Sequence, residues 1–313
     1  MSAGASGASS PPQARRRVPA VVVLASAAGL FASACGAPDP GSIGGALDCR
    51  ERPRFAAELG FTAGSALSTG DAELPGLVLV DVANPDRNYQ HPSWVQHGHL
   101  GPFTLDAHGN VYVAPTPFMS LLESPPEAQN TIYRVDTDSG EMGEFTQFAP
   151  AGLLSAENPF GILGLTYDCH SDSLYASSVA GSSRRSELGQ IVRIQLSDGA
   201  VVDSLPGIDA MGLAVFRGTE DRRLIYGSAR RPEVWSVALD ERGSFQGAPR
   251  RELALPEWSD RASSIAFDAD GRMEIVGVPF AFNLAVGTDV AQENAYGYRY
   301  DPATESWQAD AAP

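Results

Sequence analysis

A short apolar run, an Asp-containing turn and a second apolar run recur four times along the chain. The copies are GPFTLDAHGNVYVA (101–114), LGLTYDCHSDSLYAS (163–177), GLAVFRGTEDRRLIYG (212–227) and SSIAFDADGRMEIVG (263–277). Apolar strands flanking a turn built from Asp, Gly and Asn are the pattern of a β-hairpin. A second unit recurs five times, as LVLVD (77–81), IYRVD (132–136), IVRIQ (191–195), VWSVA (234–238) and GYRYD (297–301). Interleaved, the two give strand A, tight turn, strand B, variable loop, strand C, turn and a weak strand D, repeating at roughly 43–63 residues. Such a unit has two apolar faces and buries both only by stacking on further copies of itself. The expected fold is therefore all-β, a β-propeller of five four-stranded blades, with six allowed because residues 49–76 read poorly. A β-sandwich has no need of a unit that returns this often.

The N-terminus has a different character. Residues 1–34 carry Arg15-Arg16-Arg17 and then VPAVVVLASAAGLFASA, a basic cluster, an apolar core of about 17 residues and a small-residue end, which is the form of an export signal. Ala32-Ser33-Ala34 suits ordinary signal peptidase, and Ala32-Ser33-Ala34-Cys35 also resembles a bacterial lipobox, with Ala where Leu is usual. Cysteine parity favours the second. Of three cysteines, a lipid on Cys35 leaves Cys49 and Cys169 to close as a disulfide in an oxidising compartment. The domains expected are a signal peptide at 1–34, a lipidated Cys and flexible tether at 35–48, and the propeller at 49–313. The protein is expected to be exported and held at a membrane through the lipid alone.

Charge and composition remove several function classes. With Arg15–Arg17 in the signal, 19 basic residues face all 38 acidic ones, a formal charge of about −19 that repels nucleic acid and anionic lipid. Every basic residue is Arg, and the absence of Lys excludes P-loop, Schiff-base and pyridoxal phosphate chemistry. No GxSxG, HExxH, CxxC or GxGxxG stands in the required context.

In a four-stranded blade the A–B and C–D turns lie at one end and the B–C and D–A loops at the other. The turns DAHGN and DADGR make the first end tight, while loops 88–100, 115–131, 145–160, 178–190, 255–262 and 278–295 collect at the second, where sites concentrate on a rigid scaffold. Phe118, Met119, Phe280 and Phe282 in two related B–C loops are candidates for an apolar rim, against the alternative that they pack beneath their own loops. Arg184-Arg185 and Arg230-Arg231 are candidates for an anion clamp, against solvated charge. His97 and His99 share a face if extended, a spacing open to a metal pair that lacks a third ligand.

The repeats resemble the six-bladed propellers of the SMP-30/gluconolactonase and NHL-like group over most of residues 95–305, at the level of the blade pattern. LGPFTLDAHGNVYVA is similar to that group's opening blade, EGPxWDxxxGxLYxxD. The resemblance implies a divalent cation, usually calcium, held in the channel by Glu, Asn, Asn and Asp just ahead of the A strands. Here those positions hold Leu100, Leu163, Met211 and Ser263. Aliphatic side chains do not ligate a cation that demands oxygen, so no cofactor is expected, and calcium remains only if Asn158, Asp209 and Asp260 substitute from nearby. The function expected is a binding or scaffolding module at the cell envelope, for an envelope protein or a small ligand. The alternative is a divergent metal-dependent lactonase or esterase using Asn158, Asp209, Asp260 and His97 or His99.

Overall fold

The computed structural model describes residues 44–45, 49–70, 74–117, 125–155, 157–218, 221–283 and 293–310. Its strands form a five-bladed β-propeller in which every blade is an antiparallel meander with strands in chain order. Blade 1 comprises β2 (Ser65–Ser68), β3 (Val78–Asp81) and β4 (Asn84–Tyr89), three strands among the described residues. Blade 2 comprises β5 (Leu100–Leu105), β6 (Val111–Pro115), β7 (Thr131–Val135) and β8 (Met142–Gln147). Blade 3 comprises β9 (Ile162–Asp168), β10 (Ser173–Ser178), β11 (Gln190–Gln195) and β12 (Val201–Pro206). Blade 4 holds β13 (Ala210–Arg217), β14 (Arg222–Ser228), β15 (Glu233–Leu239) and β16 (Phe245–Ala254). Blade 5 holds β17 (Asp260–Phe267), β18 (Met273–Pro279), β19 (Asn294–Asp301) and β20 (Ser306–Ala309). Residues 49–76 supply β2 and the short helix α1 (Arg54–Glu58) rather than a sixth blade.

The core follows from the strand period of two. On β6, Val111 and Val113 face blade 1 with Leu77, Leu79 and Trp94, while Tyr112 and Ala114 face blade 3 with Leu174, Ala176 and Val192. On β13, Leu213 and Val215 pack toward blade 3, and Ala214 and Phe216 toward blade 5. A strand apolar on both faces is what a blade flanked by two others demands, and it explains runs such as VYVA, where polar alternation is lost. The inner strands meet closely. A Cβ on Gly164 would strike the Met211 carbonyl of the next blade, and one on Gly212 would meet the Ser263–Ser264 backbone at 2.9 Å. Glycine is therefore required at both places.

The tight turns are built locally. Asp106 Oδ1 accepts the N–H groups of His108 and Asn110 at 2.8 and 2.9 Å, and Gly109 takes φ +81°. In blade 3 the turn DCHSDS has no glycine, and Asp172 adopts φ +49° in its place. The expected disulfide joins Cys49 to Cys169 in that turn, with Cα atoms 6.0 Å apart. Gly44–Gly45, inside the tether read from sequence, form a two-residue strand, β1, on β13. Among the described residues no helix is long and apolar enough to cross a membrane.

Candidate functional site

All four inner strands of blades 2 to 5 carry a register shift just after they begin, between Leu100 and Phe103, at Ile162–Gly164, between Ala210 and Leu213, and between Ala262 and Ser264. A β-bulge re-aims the side chain it displaces. These shifts lie at the long-loop end, at or beside Leu100, Leu163, Met211 and Ser263. Leu163 and Met211 enter an apolar cluster with Val179, Ala229, Phe282, Phe160, Val278 and Phe280. Leu100 packs in the core between blades 1 and 2, and the Ser263 hydroxyl donates to the Val276 carbonyl at 3.0 Å. Apolar side chains thus occupy three of the four positions where the resemblance puts oxygen ligands.

Asn158, Asp209 and Asp260 stand at the same end, each about 1% exposed, and each is taken up by loops. Asn158 Nδ2 donates to the carbonyls of Val179 and Ser182 at 2.8 and 2.9 Å, while its Oδ1 accepts the Phe160 N–H. Asp260 Oδ2 accepts from Asn294 Nδ2 at 2.9 Å and from the Tyr296 hydroxyl at 2.7 Å. Asp209 receives the Ser182 hydroxyl, the Gly189 N–H at 2.9 Å and Arg230 Nε at 2.6 Å. Burial holds the Asp209 carboxyl above its ordinary value, opposed by those three donors. Among the described residues no group of three or more His, Cys, Asp and Glu converges as a metal site.

His97 lies against Tyr133 of β7, ring centroids 4.1 Å apart, and burial lowers its pKa. The His99 carbonyl accepts the Thr116 N–H at 3.0 Å, and its ring is half-buried. Phe282 is not at an open rim. It is 7% exposed, packs edge-on against Phe280 at 5.3 Å, and carries the Arg230 guanidinium 4.9 Å above its ring. Phe118, Met119 and Cys35 lie outside the described residues. Arg230 is held between Asp209, Phe282 and the Ser183 and Ser186 carbonyls, so the double-arginine clamp does not form around it. Arg184, Arg185 and Arg231 are exposed.

The exposed apolar residues of this end are ones that sequence reasoning passed over. Leu153 is 92% exposed and Trp258 78%, on the D–A loops entering blades 3 and 5. Val95, in helix α2 (Pro92–Val95) on the loop entering blade 2, and Leu188 on a B–C loop are also exposed. Their signal was available, since Trp258 in LPEWSDR interrupts a polar loop between two strands and belongs to no alternating run. At the tight-turn end, a depression of about 770 Å³ is lined by His170, Arg217, Arg222, Asp240, Glu241 and Arg242. Its charges are mixed, with Arg222 already paired to Asp168 at 2.8 Å and donating to the Asp240 carbonyl at 2.6 Å.

No protein-family model and no curated protein sequence matches the chain. Among solved structures it is similar to quinohemoprotein alcohol dehydrogenase from Comamonas testosteroni, at 14% identity and a TM-score of 0.44, over 81% of this chain and 53% of that one. It is also similar to a glucose dehydrogenase, at 12% identity and 0.41, over 73% and 78% of the two chains. A Bacteroides ovatus protein described as xyloglucan PUL GH43B gives 12% and 0.40, over 68% of this chain and 40% of that one. The chain thus spans about half the length of the first of these and less of the third. Likeness at this level concerns the fold, and the substrates those proteins are named for are theirs.

Proposed function

We propose that this chain is an exported, lipid-anchored propeller that binds a protein of the cell envelope through its long-loop end. The observation that carries the reading is the exposure of Trp258 and Leu153 on D–A loops of that end, where Phe282, Met211 and Leu163 pack in one apolar cluster. An exposed Trp on a loop set by a rigid ring is the residue type that anchors protein interfaces, and an exposed Leu at the same end adds apolar area that gains when covered. Export and the lipid on Cys35 are supported by the Arg cluster, the apolar core and the lipobox-like Ala32-Ser33-Ala34-Cys35.

The resemblance to the SMP-30/gluconolactonase group is one of blade pattern. The ring here has five blades, and a lactonase-type metal would require Asp209 to leave Arg230 or Asp260 to leave Tyr296. The test is chemical cross-linking in intact cells to identify the envelope partner, followed by direct titration of that purified protein. Trp258→Ala should weaken binding at least about tenfold, the effect of an interface anchor, and Leu153→Ala by a smaller factor, with the melting temperature unchanged in both. Unaltered binding in both variants refutes the reading.

A further inference from the structure

The chain enters the propeller from one end of its axis. β1 pairs with β13 on the side away from β14, with Gly44 opposite Arg217 and Gly45 opposite Phe216. β13 is an inner strand that runs from the long-loop end to the tight-turn end, so antiparallel β1 rises into the ring from the tight-turn mouth. Two glycines are required there. Gly44 has φ +150° and passes the Gly271 backbone, and a Cβ on Gly45 would collide with the Phe267 side chain. From Cys49 the chain continues across the same end, bonded to Cys169 in blade 3. The Glu51 N–H then donates to the Asp106 carbonyl at 3.1 Å, and the Phe55 N–H to the Thr137 carbonyl at 2.9 Å, both in blade 2.

From this path we infer that the tight-turn end is the bilayer-facing surface of the anchored protein, and that the long-loop end is presented away from the membrane. The inference rests on the lipid-anchor reading for its natural setting. Cys35 stands nine residues before Gly44, a reach of at most about 30 Å when fully extended. A domain of this size has a radius of roughly 24 Å, and its strands span about 20–25 Å along the axis. To turn over, the tether would have to run from the axis to the rim and up the side, on the order of 45 Å, which exceeds its reach. The anchor therefore excludes the inverted arrangement, with the long-loop end on the bilayer, without any attraction between the acidic body and the lipid.

The test uses the full exported protein in phosphatidylcholine vesicles containing an acceptor-dye lipid. A donor dye is attached through a clickable side chain replacing either Asp270, exposed in the A–B turn of blade 5, or Leu153, exposed at the long-loop end. Energy transfer to the bilayer should be about twofold or more greater from position 270 than from 153, because the strand length separates them. Equal transfer, or more from 153, overturns the inference. Acyl labelling of the native chain and of Cys35→Ser reads the anchor separately. If Cys35 proves unacylated, its free thiol is coupled to a maleimide-bearing lipid and the same comparison of transfer decides the orientation.

Discussion

At the tight-turn end, Asp136, Asp240 and Asp268 each use one carboxylate oxygen to accept N–H groups two to four residues further on, as Asp106 does. At the long-loop end, Asn158, Asp209 and Asp260 accept from or donate to groups as far as 36 residues away. The first arrangement closes a turn within itself, and in blade 3 the turn's carboxylate, Asp168, also takes a distant group, Arg222 of blade 4. The second holds long loops in place by burying a few polar side chains, and so frees the loop tips to carry exposed Leu153 and Trp258. One end is a fastening, crossed by the N-terminal segment and its disulfide, and the other is the platform of the proposed function.

The comparison breaks most readily at Asp209. Its side chain is fully buried, and Asp209→Ala takes the carboxylate from Arg230, which keeps the Ser183 and Ser186 carbonyls, and removes the acceptor of the Gly189 N–H and the Ser182 hydroxyl. Removing one partner of a buried pair should lower stability by about 3–5 kcal/mol, measured by urea unfolding. A smaller loss follows at the opposite end. Cys169→Ser opens a bond spanning 120 residues, and about 2–4 kcal/mol should go with it, matched by reduction of the wild type. Trp258→Ala should change stability by less than about 0.5 kcal/mol, as expected for an exposed loop residue, which separates platform from fastening.

The smallest effect distinguishes the two ends by the sign of their pH dependence. Burial raises the Asp209 pKa, so between the ordinary carboxylate value and the raised one the folded chain holds a proton the unfolded chain has lost. Stability from this group falls as pH rises through that window. Asp136 is held below its ordinary value by the Ser139 and Asp138 N–H groups, and its contribution is present above the ordinary value and lost as pH falls through the folded one. Urea midpoints against pH for Asp209→Asn and Asp136→Asn should shift the acid-side slope in opposite directions.

The two ends also differ in how legible they are. Strands β5 to β7 and the turn between β5 and β6 follow from GPFTLDAHGNVYVA and IYRVD because their bonds are local and their side chains alternate. Cys49 and Cys169 pair as parity requires. Phe282 reads in sequence as either a rim residue or one packed beneath its own loop, and what it meets there, Arg230 from a loop of another blade, is a contact that spacing does not encode. For the same reason Arg230 looks free until the ring brings Asp209 beside it. Gly44–Gly45 read as tether because glycine is permissive, and only the φ of +150° at Gly44 and the closeness of Phe267 to Gly45 explain why it is needed there.

The most direct test of the division is a photo-cross-linking scan in intact cells, with a photoreactive side chain placed singly at positions 153, 188 and 258 or at 138, 198 and 270. Adducts to one envelope protein from the first set and none from the second are the predicted result. Adducts from the tight-turn set, or none from the long-loop set, would contradict the assignment of the long-loop end as the binding platform.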